Sequence, residues 1–236
     1  VNLFKLNFSR EKDMKLLGFA DSSPKLKGAE ADGIEGAIMY LASHKQSGFN
    51  VCASATKGCA DVCLMVQGRG RMDSVRNARI RKTRMYFEQR DQFLEWLVKD
   101  IASVERRAIK KNLDPVVRLN GTSDIRWERH EFMKDFPDVQ FYDYTKHRNR
   151  KDLPENYQLT FSRSEESTTK DLDTALNNGM NLAVVFQKEL PETWYGLPVI
   201  DGTLNDWRFR DPNPCIVGLL AKGSAKKDTS GFVVIQ

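Results

Sequence analysis

Short apolar runs recur along the chain, and polar stretches rich in glycine, proline or aspartate separate them. Continuous apolar runs of this length are typical of strands that are buried on both faces of a parallel sheet. The pattern predicts strands at 37–42, 116–120, 139–143, 157–162, 181–186, 197–200 and 216–220, with edge strands at 3–8 and 232–235.

A helical pattern fills the longest interval between two of these strands. Asp73 and Ser74 can cap a helix, and apolar residues then recur at helical spacing as far as Ala108. Because the interval from 74 to 111 is too long for one ordinary helix, we expect a break between 88 and 91. Further helices are predicted at 127–136 and 169–178.

Strands that alternate with helices at this spacing indicate an α/β fold with a mostly parallel sheet. The number of units and the length of 236 residues favour a single domain that spans residues 1–236. Its predicted fold is a partial or irregular (β/α) barrel of the TIM type. Residues 1–33 would be an N-terminal extension or an edge strand. Because the links at 144–156 and 202–214 contain no proper helix, an open doubly wound sheet is the alternative.

The composition is that of a globular protein, with 40% hydrophobic and 29% charged residues. No apolar run approaches the roughly 18 residues that span a membrane. The four cysteines do not form a disulfide scaffold, which favours a reducing compartment. We therefore expect a cytoplasmic protein with no membrane partner.

Three of the four cysteines crowd into one segment after the first predicted core strand. We call residues 51–63 the cysteine loop; Cys52, Cys59 and Cys63 are separated by six and then three residues. Thiolates are ligands of zinc and of iron–sulfur clusters, so the three residues are predicted to bind a metal. His44 is a candidate fourth ligand. The alternative is three ordinary thiols that pack beside a core strand.

The net charge of +5 is unevenly distributed. Cations dominate the start of the long helical interval, where Asp73 is the single acid between Arg69 and Arg84. Such a block predicts a contact with nucleic acid, most simply DNA. The predicted nucleic-acid-binding residues are Arg69, Arg71, Arg76, Arg79 and Lys82. The alternative is a solvated helix face, and the pattern does not indicate an oligomeric state.

Acidic residues follow or end several of the predicted strands. Parallel sheets bind ligands at the carboxyl ends of their strands, and carboxylates there can serve as a general base or nucleophile. The predicted catalytic residues, expected to face one cavity with the cysteine loop, are Asp124, Asp143, Glu165 and Asp201. The alternative for each is a helix cap or a turn.

The sequence resembles uncharacterised phage-encoded proteins in the runs 118–124, 141–146 and 199–202. A cysteine loop after the first strand of a partial barrel also resembles the radical S-adenosylmethionine enzymes. That resemblance implies a 4Fe–4S cluster on Cys52, Cys59 and Cys63, with S-adenosylmethionine on the open iron.

The strand-end aspartates resemble a second barrel family, the tRNA-guanine transglycosylases and their phage relatives that insert 7-deazaguanines into DNA. That family uses such residues as nucleophile and base reader and carries zinc, which implies these roles for Asp124, Asp143 and Asp201.

The functional prediction is therefore an iron–sulfur enzyme of the radical type that modifies nucleic acid in the cytoplasm of an infected bacterial host. One alternative is guanine or 7-deazaguanine exchange in DNA or tRNA. The other is a phage protein without enzymatic activity that binds nucleic acid or a host protein.

Overall fold

The computed structural model describes residues 14–20, 23–63, 70 and 72–235. These residues form ten strands, all in one sheet. The strands are β1 (Leu17–Gly18), β2 (Ile34–Met39), β3 (Asp114–Arg118), β4 (Gln140–Thr145), β5 (Tyr157–Ser162), β6 (Asn181–Phe186), β7 (Thr193–Trp194), β8 (Leu197–Asp201), β9 (Ile216–Leu220) and β10 (Val233–Val234).

The sheet is mostly parallel. Its order is β1-β2-β3-β4-β5-β6-β9-β8-β7, and β10 pairs with the end of β6 beyond the part that β5 contacts. Only β1 and β7, at the two ends of this order, pair antiparallel with their neighbours among the described strands. The predicted α/β fold with mostly parallel strands is confirmed.

Four α-helices connect the described strands: α1 (Lys57–Asp61), α2 (Asp73–Glu88), α3 (Arg90–Lys111) and α4 (Thr169–Asn177). The expected break in the long helical interval lies at Gln89, between α2 and α3. Helix α3 packs on β2 and β3 through a stripe with helical spacing. Its buried members are Phe93, Trp96, Leu97, Ile101, Val104 and Ala108.

The core lies on both faces of the sheet. Val117 and Phe141 face the core that includes α3, whereas their neighbours Val116 and Tyr142 face a second core with Trp207. This alternation follows from the two-residue period of a strand. Residues 202–211, which lie between β8 and β9, thus cover the face of the sheet opposite to α3.

Two predicted elements differ from the structure or lie outside it. The helix expected at 127–136 is two 3₁₀ helices, Trp127–His130 and Phe132–Asp135, because Glu131 between them has a left-handed backbone with a φ of 57°. The edge strand expected at 3–8 lies outside the described residues. None of the described helices has the length and apolar character that crossing a membrane requires.

Candidate functional site

The carboxyl ends of β2, β3, β4 and β5 meet at one edge of the sheet, which we call the carboxyl edge. These four strands are parallel neighbours. The cysteine loop follows β2, and residues 119–126, 146–149 and 163–166 follow the other three strands. Ligands of open and closed parallel sheets bind at this edge, so the side chains there are the candidates for function.

Glu165 holds the cysteine loop against the carboxyl edge. Its two carboxylate oxygens accept hydrogen bonds from the Thr56 hydroxyl at 2.8 Å and from the Gly58 backbone N–H at 2.6 Å. A Cβ at position 58 would clash with the Ser230 hydroxyl and lie 2.7 Å from the same carboxylate, so a larger residue there would displace these side chains. The predicted catalytic residue Glu165 therefore has both oxygens engaged in anchoring the loop.

The three thiols of the cysteine loop lie in a partly buried, electrostatically connected region. Burial raises the pKa of Cys52 to about 12, and the charges of Asp124, Cys63 and Cys59 also raise it. The pKa of Cys59 is raised first by burial, while Lys146 lowers it and Cys63, Glu165 and Asp124 raise it. The Cys52 and Cys59 thiols are therefore protonated at neutral pH in this arrangement.

The predicted metal site receives no support from the placement of these thiols. Among the described residues, no three His, Cys, Asp or Glu side chains lie so that they could hold a metal ion. The thiols as placed do not fit a 4Fe–4S cluster or zinc, and both groups stay predictions. His44 contributes its backbone N–H, which donates to the Cys52 sulfur at 3.4 Å.

Asp124 lies beside the cysteine loop and is tied to it. Its backbone N–H donates to the carbonyl of Val51 at 2.8 Å, and its Oδ2 accepts from the Lys146 backbone N–H at 2.8 Å. Its Oδ1 is buried and has no hydrogen-bond partner among the described residues. Buried carboxylate oxygens are normally hydrogen-bonded, and among the described residues this atom and the Oδ2 of Asp211 are exceptions.

Asp143 lies beneath the carboxyl edge, in a closed network. It has no exposed surface, and it accepts from the Asn120 backbone N–H at 2.6 Å and side chain at 3.1 Å and from the Tyr157 hydroxyl at 2.8 Å. Burial raises the pKa of Asp143 to about 7, against the lowering effects of Arg118 and these donors. Its oxygens accept hydrogen bonds from buried donors and do not reach the edge.

Arg150 connects this network to Asp124. Its guanidinium donates to both Glu128 oxygens and, at 3.1 Å, to the Tyr157 hydroxyl. Its remaining terminal nitrogen, Nη1, makes no hydrogen bond in the described structure and lies 3.8 Å from the unpartnered Oδ1 of Asp124. Sequence reasoning did not single out Arg150, because nothing in the run 144–156 distinguishes a buried cation from exposed ones.

Asp201 lies away from the other acids. It ends β8, and β6 and β9 stand between β8 and β5, which places it about 14 Å or more from the β5 end at ordinary strand spacing. Its side chain is exposed and accepts from the backbone and hydroxyl of Thr203, and these hydrogen bonds lower its pKa. The geometry is that of a turn.

The structure thus brings Asp124 and Glu165 to the cysteine loop, while Asp143 lies below it and Asp201 lies farther along the same edge, at the end of β8. Of the four acids predicted to be catalytic, Asp124 has a buried oxygen that accepts no hydrogen bond from the described residues and lies 3.8 Å from the Arg150 guanidinium.

The basic helix α2 presents fewer free cations than the sequence suggests. Lys82 turns inward and donates to the Leu16 carbonyl at 2.7 Å, and burial lowers its pKa to about 8. Arg79 lies over the ring of Tyr40 at 4.8 Å. Arg76 is exposed and pairs with Asp73 at 2.8 Å. Arg69 and Arg71 lie outside the described residues.

A second group of cations lies at the carboxyl edge itself, mostly in the link after β4 for which the sequence predicts no helix. It surrounds a small cavity of about 120 Å³ next to the cysteine loop. We call this cavity the basic pocket; it is lined by Ser54, Arg126, Lys146, His147, Arg148 and Asn149. Because no helix follows β4, these residues stay at the edge. The missing helix is visible in the sequence and is the signal that could have located them.

Comparison with known proteins places the chain in a family but gives no activity. No curated protein and no solved structure matches the sequence. One family model, described as Gene product 88, matches residues 14–236 and so covers nearly the whole chain. The chain therefore belongs to the Gene product 88 family of phage gene products.

Proposed function

We propose that the protein is an enzyme that modifies nucleic acid and that Asp124 is the acid–base group of its site. One observation carries the proposal, namely the buried Oδ1 of Asp124 that has no hydrogen-bond partner among the described residues. It lies at the carboxyl edge of a parallel sheet, where enzymes of this architecture bind their substrates. Polar atoms left unpaired at such a place are candidates for substrate contacts.

The surroundings of Asp124 suit a general base. The Lys146 N–H fixes one carboxylate oxygen at 2.8 Å, so the other oxygen is held in a defined position. A substrate N–H or O–H that reaches Oδ1 would donate its proton along a hydrogen bond that no described group now makes. The neighbouring thiols of Cys52 and Cys59 are protonated and are therefore not the first nucleophiles in this arrangement.

The charge of the region supports a polyanionic substrate. The net charge is +5, and the basic pocket lies directly beside Asp124. Arg76 and Arg81 add exposed cations on α2. Phosphate contacts from such residues supply most of the affinity of a protein for nucleic acid.

The proposal is tested inside a bacterium, which supplies any co-reactant. DNA and tRNA from cells that express the protein are digested to nucleosides and compared by mass spectrometry with those from cells that express Asp124→Asn. We expect a modified nucleoside in the first sample and a loss of about a hundredfold in the second, because general-base catalysis contributes about that factor.

Asp138→Asn, an exposed acid after the 3₁₀ helices, is the matched control and should leave the modification unchanged. The purified Asp124→Asn protein should still bind nucleic acid. If cells with the unchanged protein contain no new nucleoside although the protein binds DNA or RNA, the enzymatic proposal is wrong and a binding function remains.

A further inference from the structure

We propose that the basic pocket binds a phosphate group, and that this phosphate belongs to the backbone of the nucleic acid on which Asp124 acts. The second half of this statement rests on the proposed function, whereas the first half depends on the geometry of the pocket alone.

The size of the pocket suits one phosphate group. A volume of about 120 Å³ corresponds to about four water molecules in the liquid. The pocket lies between Ser54 of the cysteine loop and the segment 146–149 that follows β4. No acidic residue lines it, so an anion inside would not meet a carboxylate in the wall.

Two arginines supply hydrogen-bond donors. The partly buried guanidinium of Arg126 lines the pocket and makes no hydrogen bond or ion pair with any described residue, so none of these residues occupies its donors. Arg148 uses its Nε to contact Asp171 at 2.7 Å and is about half exposed, so its terminal nitrogens remain available. Guanidinium groups bind phosphate oxygens through parallel hydrogen bonds, which makes arginine the preferred residue for this contact.

Neutral donors complete the lining. The side chain of Asn149 is exposed at the mouth. His147 shares a 3.1 Å hydrogen bond with the hydroxyl of Ser54 through its Nδ1.

Lys146 points its ammonium group away, toward the Ser162 carbonyl at 3.1 Å, and so contributes its charge from a distance.

The charges around His147 are of both signs. Burial lowers its pKa, Asp124 has the largest effect among the charges and raises it, Arg126 and Arg150 lower it, and Glu128 raises it. The attraction for a phosphate therefore depends on direct contacts with Arg126 and Arg148, which line the pocket.

The pocket and Asp124 are close enough to serve one nucleotide. The Nε2 of His147, in the pocket wall, lies 3.9 Å from the Oδ2 of Asp124. A nucleotide with its phosphate in the pocket would place its sugar or base beside this carboxylate. The pocket would then position the substrate, and Asp124 would carry out the proton transfer.

The first test measures the binding of a fluorescein-labelled single-stranded DNA of 20 nucleotides, by anisotropy, over a series of salt concentrations. Arg126→Gln should raise the Kd about tenfold and reduce the salt dependence by roughly one phosphate contact. The matched control is Arg106→Gln, an exposed arginine near the end of α3 that leads to the opposite edge of the sheet. An equal loss in both variants, or none in Arg126→Gln, overturns the inference.

A second pair of variants guards against a change in folding. Asn149 is exposed, so Asn149→Asp and Asn149→Ala should both fold. A carboxylate at the mouth would repel an anion, and we expect weaker DNA binding in Asn149→Asp than in Asn149→Ala. Equal affinity in the two variants contradicts a phosphate in the pocket.

Inorganic phosphate separates the two halves of the inference. Calorimetric titration should show phosphate binding to the unchanged protein and to Arg106→Gln, and at least about tenfold weaker binding to Arg126→Gln. If phosphate binds in this way but DNA and RNA do not bind, the pocket holds free phosphate compounds and the proposed function fails. If nucleic acid is bound and modified but Arg126→Gln has no effect, the pocket inference alone fails.

Discussion

Asn120 organises the segment that carries Asp124. Its side-chain oxygen accepts from the Ser123 hydroxyl at 2.8 Å, the Ile125 N–H at 3.0 Å and the Trp127 ring nitrogen at 3.1 Å. Its amide nitrogen donates to the Ile125 carbonyl and to Asp143. One buried side chain thus fixes the loop after β3 and with it the position of Asp124.

We expect Asn120→Ala to lower the free energy of unfolding by about 3 kcal/mol, because it leaves several buried groups without partners and each costs about 1–3 kcal/mol. Urea unfolding at neutral pH measures this change. Asn178→Ala is the matched control, because the amide of Asn178 makes one exposed hydrogen bond to the Arg148 carbonyl. A similar small loss in both variants would contradict the central role of Asn120.

The sequence indicates that the segment around Asn120 is important, but it does not show how Asn120 fixes that segment. The run 118–124 carried the family resemblance, yet the prediction from the residues concerned Asp124 alone. Neither the partners of Asn120 nor the reason for Gly121 is visible without the fold. A Cβ at Gly121 would lie 2.6 Å from the Met39 carbonyl oxygen, so the glycine allows β2 and the loop after β3 to approach.

At the scale of elements, the cysteine loop depends on an anchor from the segment after β5. Glu165 accepts both hydrogen bonds that tie the start of α1 to the sheet. Helix α1 has five residues, too few to be stable by itself. The position of Cys59 therefore follows from a contact more than one hundred residues away in the chain.

We predict that Glu165→Ala makes the thiols of the cysteine loop react with Ellman's reagent about tenfold faster than in the unchanged protein. Loss of two charge-assisted hydrogen bonds favours local opening of the loop. Loss of the carboxylate charge also lowers the pKa of Cys59, in the same direction.

Glu166→Ala removes an exposed acid at the next position and is the matched control. Glu165→Gln loses the charge but keeps one acceptor, so its rate should lie between those of the other two proteins. Equal rates for Glu165→Ala and Glu166→Ala would mean that the anchor does not hold the loop.

The elements themselves were largely predictable. The strands at 157–162, 181–186 and 216–220 have the predicted bounds. The last two are mostly apolar runs between turn residues, and the first alternates larger apolar with polar residues at the two-residue period of a strand. Whether a polar side chain points inward or toward solvent was harder to predict. Along α2, Arg79 and Lys82 lie four positions before the buried Thr83 and Tyr86, so the helical period turns them inward. Counting charges along the sequence does not show which of them point inward.

At the scale of the whole molecule, a buried charge cluster joins distant parts of the chain on the face of the sheet opposite to α3. Asp206 accepts from Arg118 of β3 at 2.6 Å, from Lys25 at 3.2 Å and from the Tyr142 hydroxyl of β4 at 3.1 Å. Residues 202–211 and the N-terminal segment around Lys25 are thereby fixed to the sheet. The sequence analysis predicts four acids at one edge of the sheet, but it does not predict this cluster.

The cluster gives a pH dependence with a defined sign. Burial by itself raises the pKa of Asp206, but the charges of Arg118 and Lys25 and their hydrogen bonds outweigh burial and lower the pKa to about 2. The carboxyl of an unfolded chain has a pKa of about 3.9. The stabilisation by Asp206 is therefore fully present above about pH 4 and is lost as the pH falls toward 2, by about 2–3 kcal/mol in all.

We expect Asp206→Asn to lower the free energy of unfolding by about 3–5 kcal/mol at pH 7, since it leaves buried cations without their carboxylate. Between pH 4 and pH 2 the unchanged protein loses the contribution of Asp206 whereas the variant has none to lose, so the difference between the two should shrink. Urea unfolding at several pH values measures this difference. Asp138→Asn, an exposed acid, should stay close to the unchanged protein throughout. A constant gap between Asp206→Asn and the unchanged protein at all pH values would show that the carboxylate of Asp206 is not stabilised by its cations.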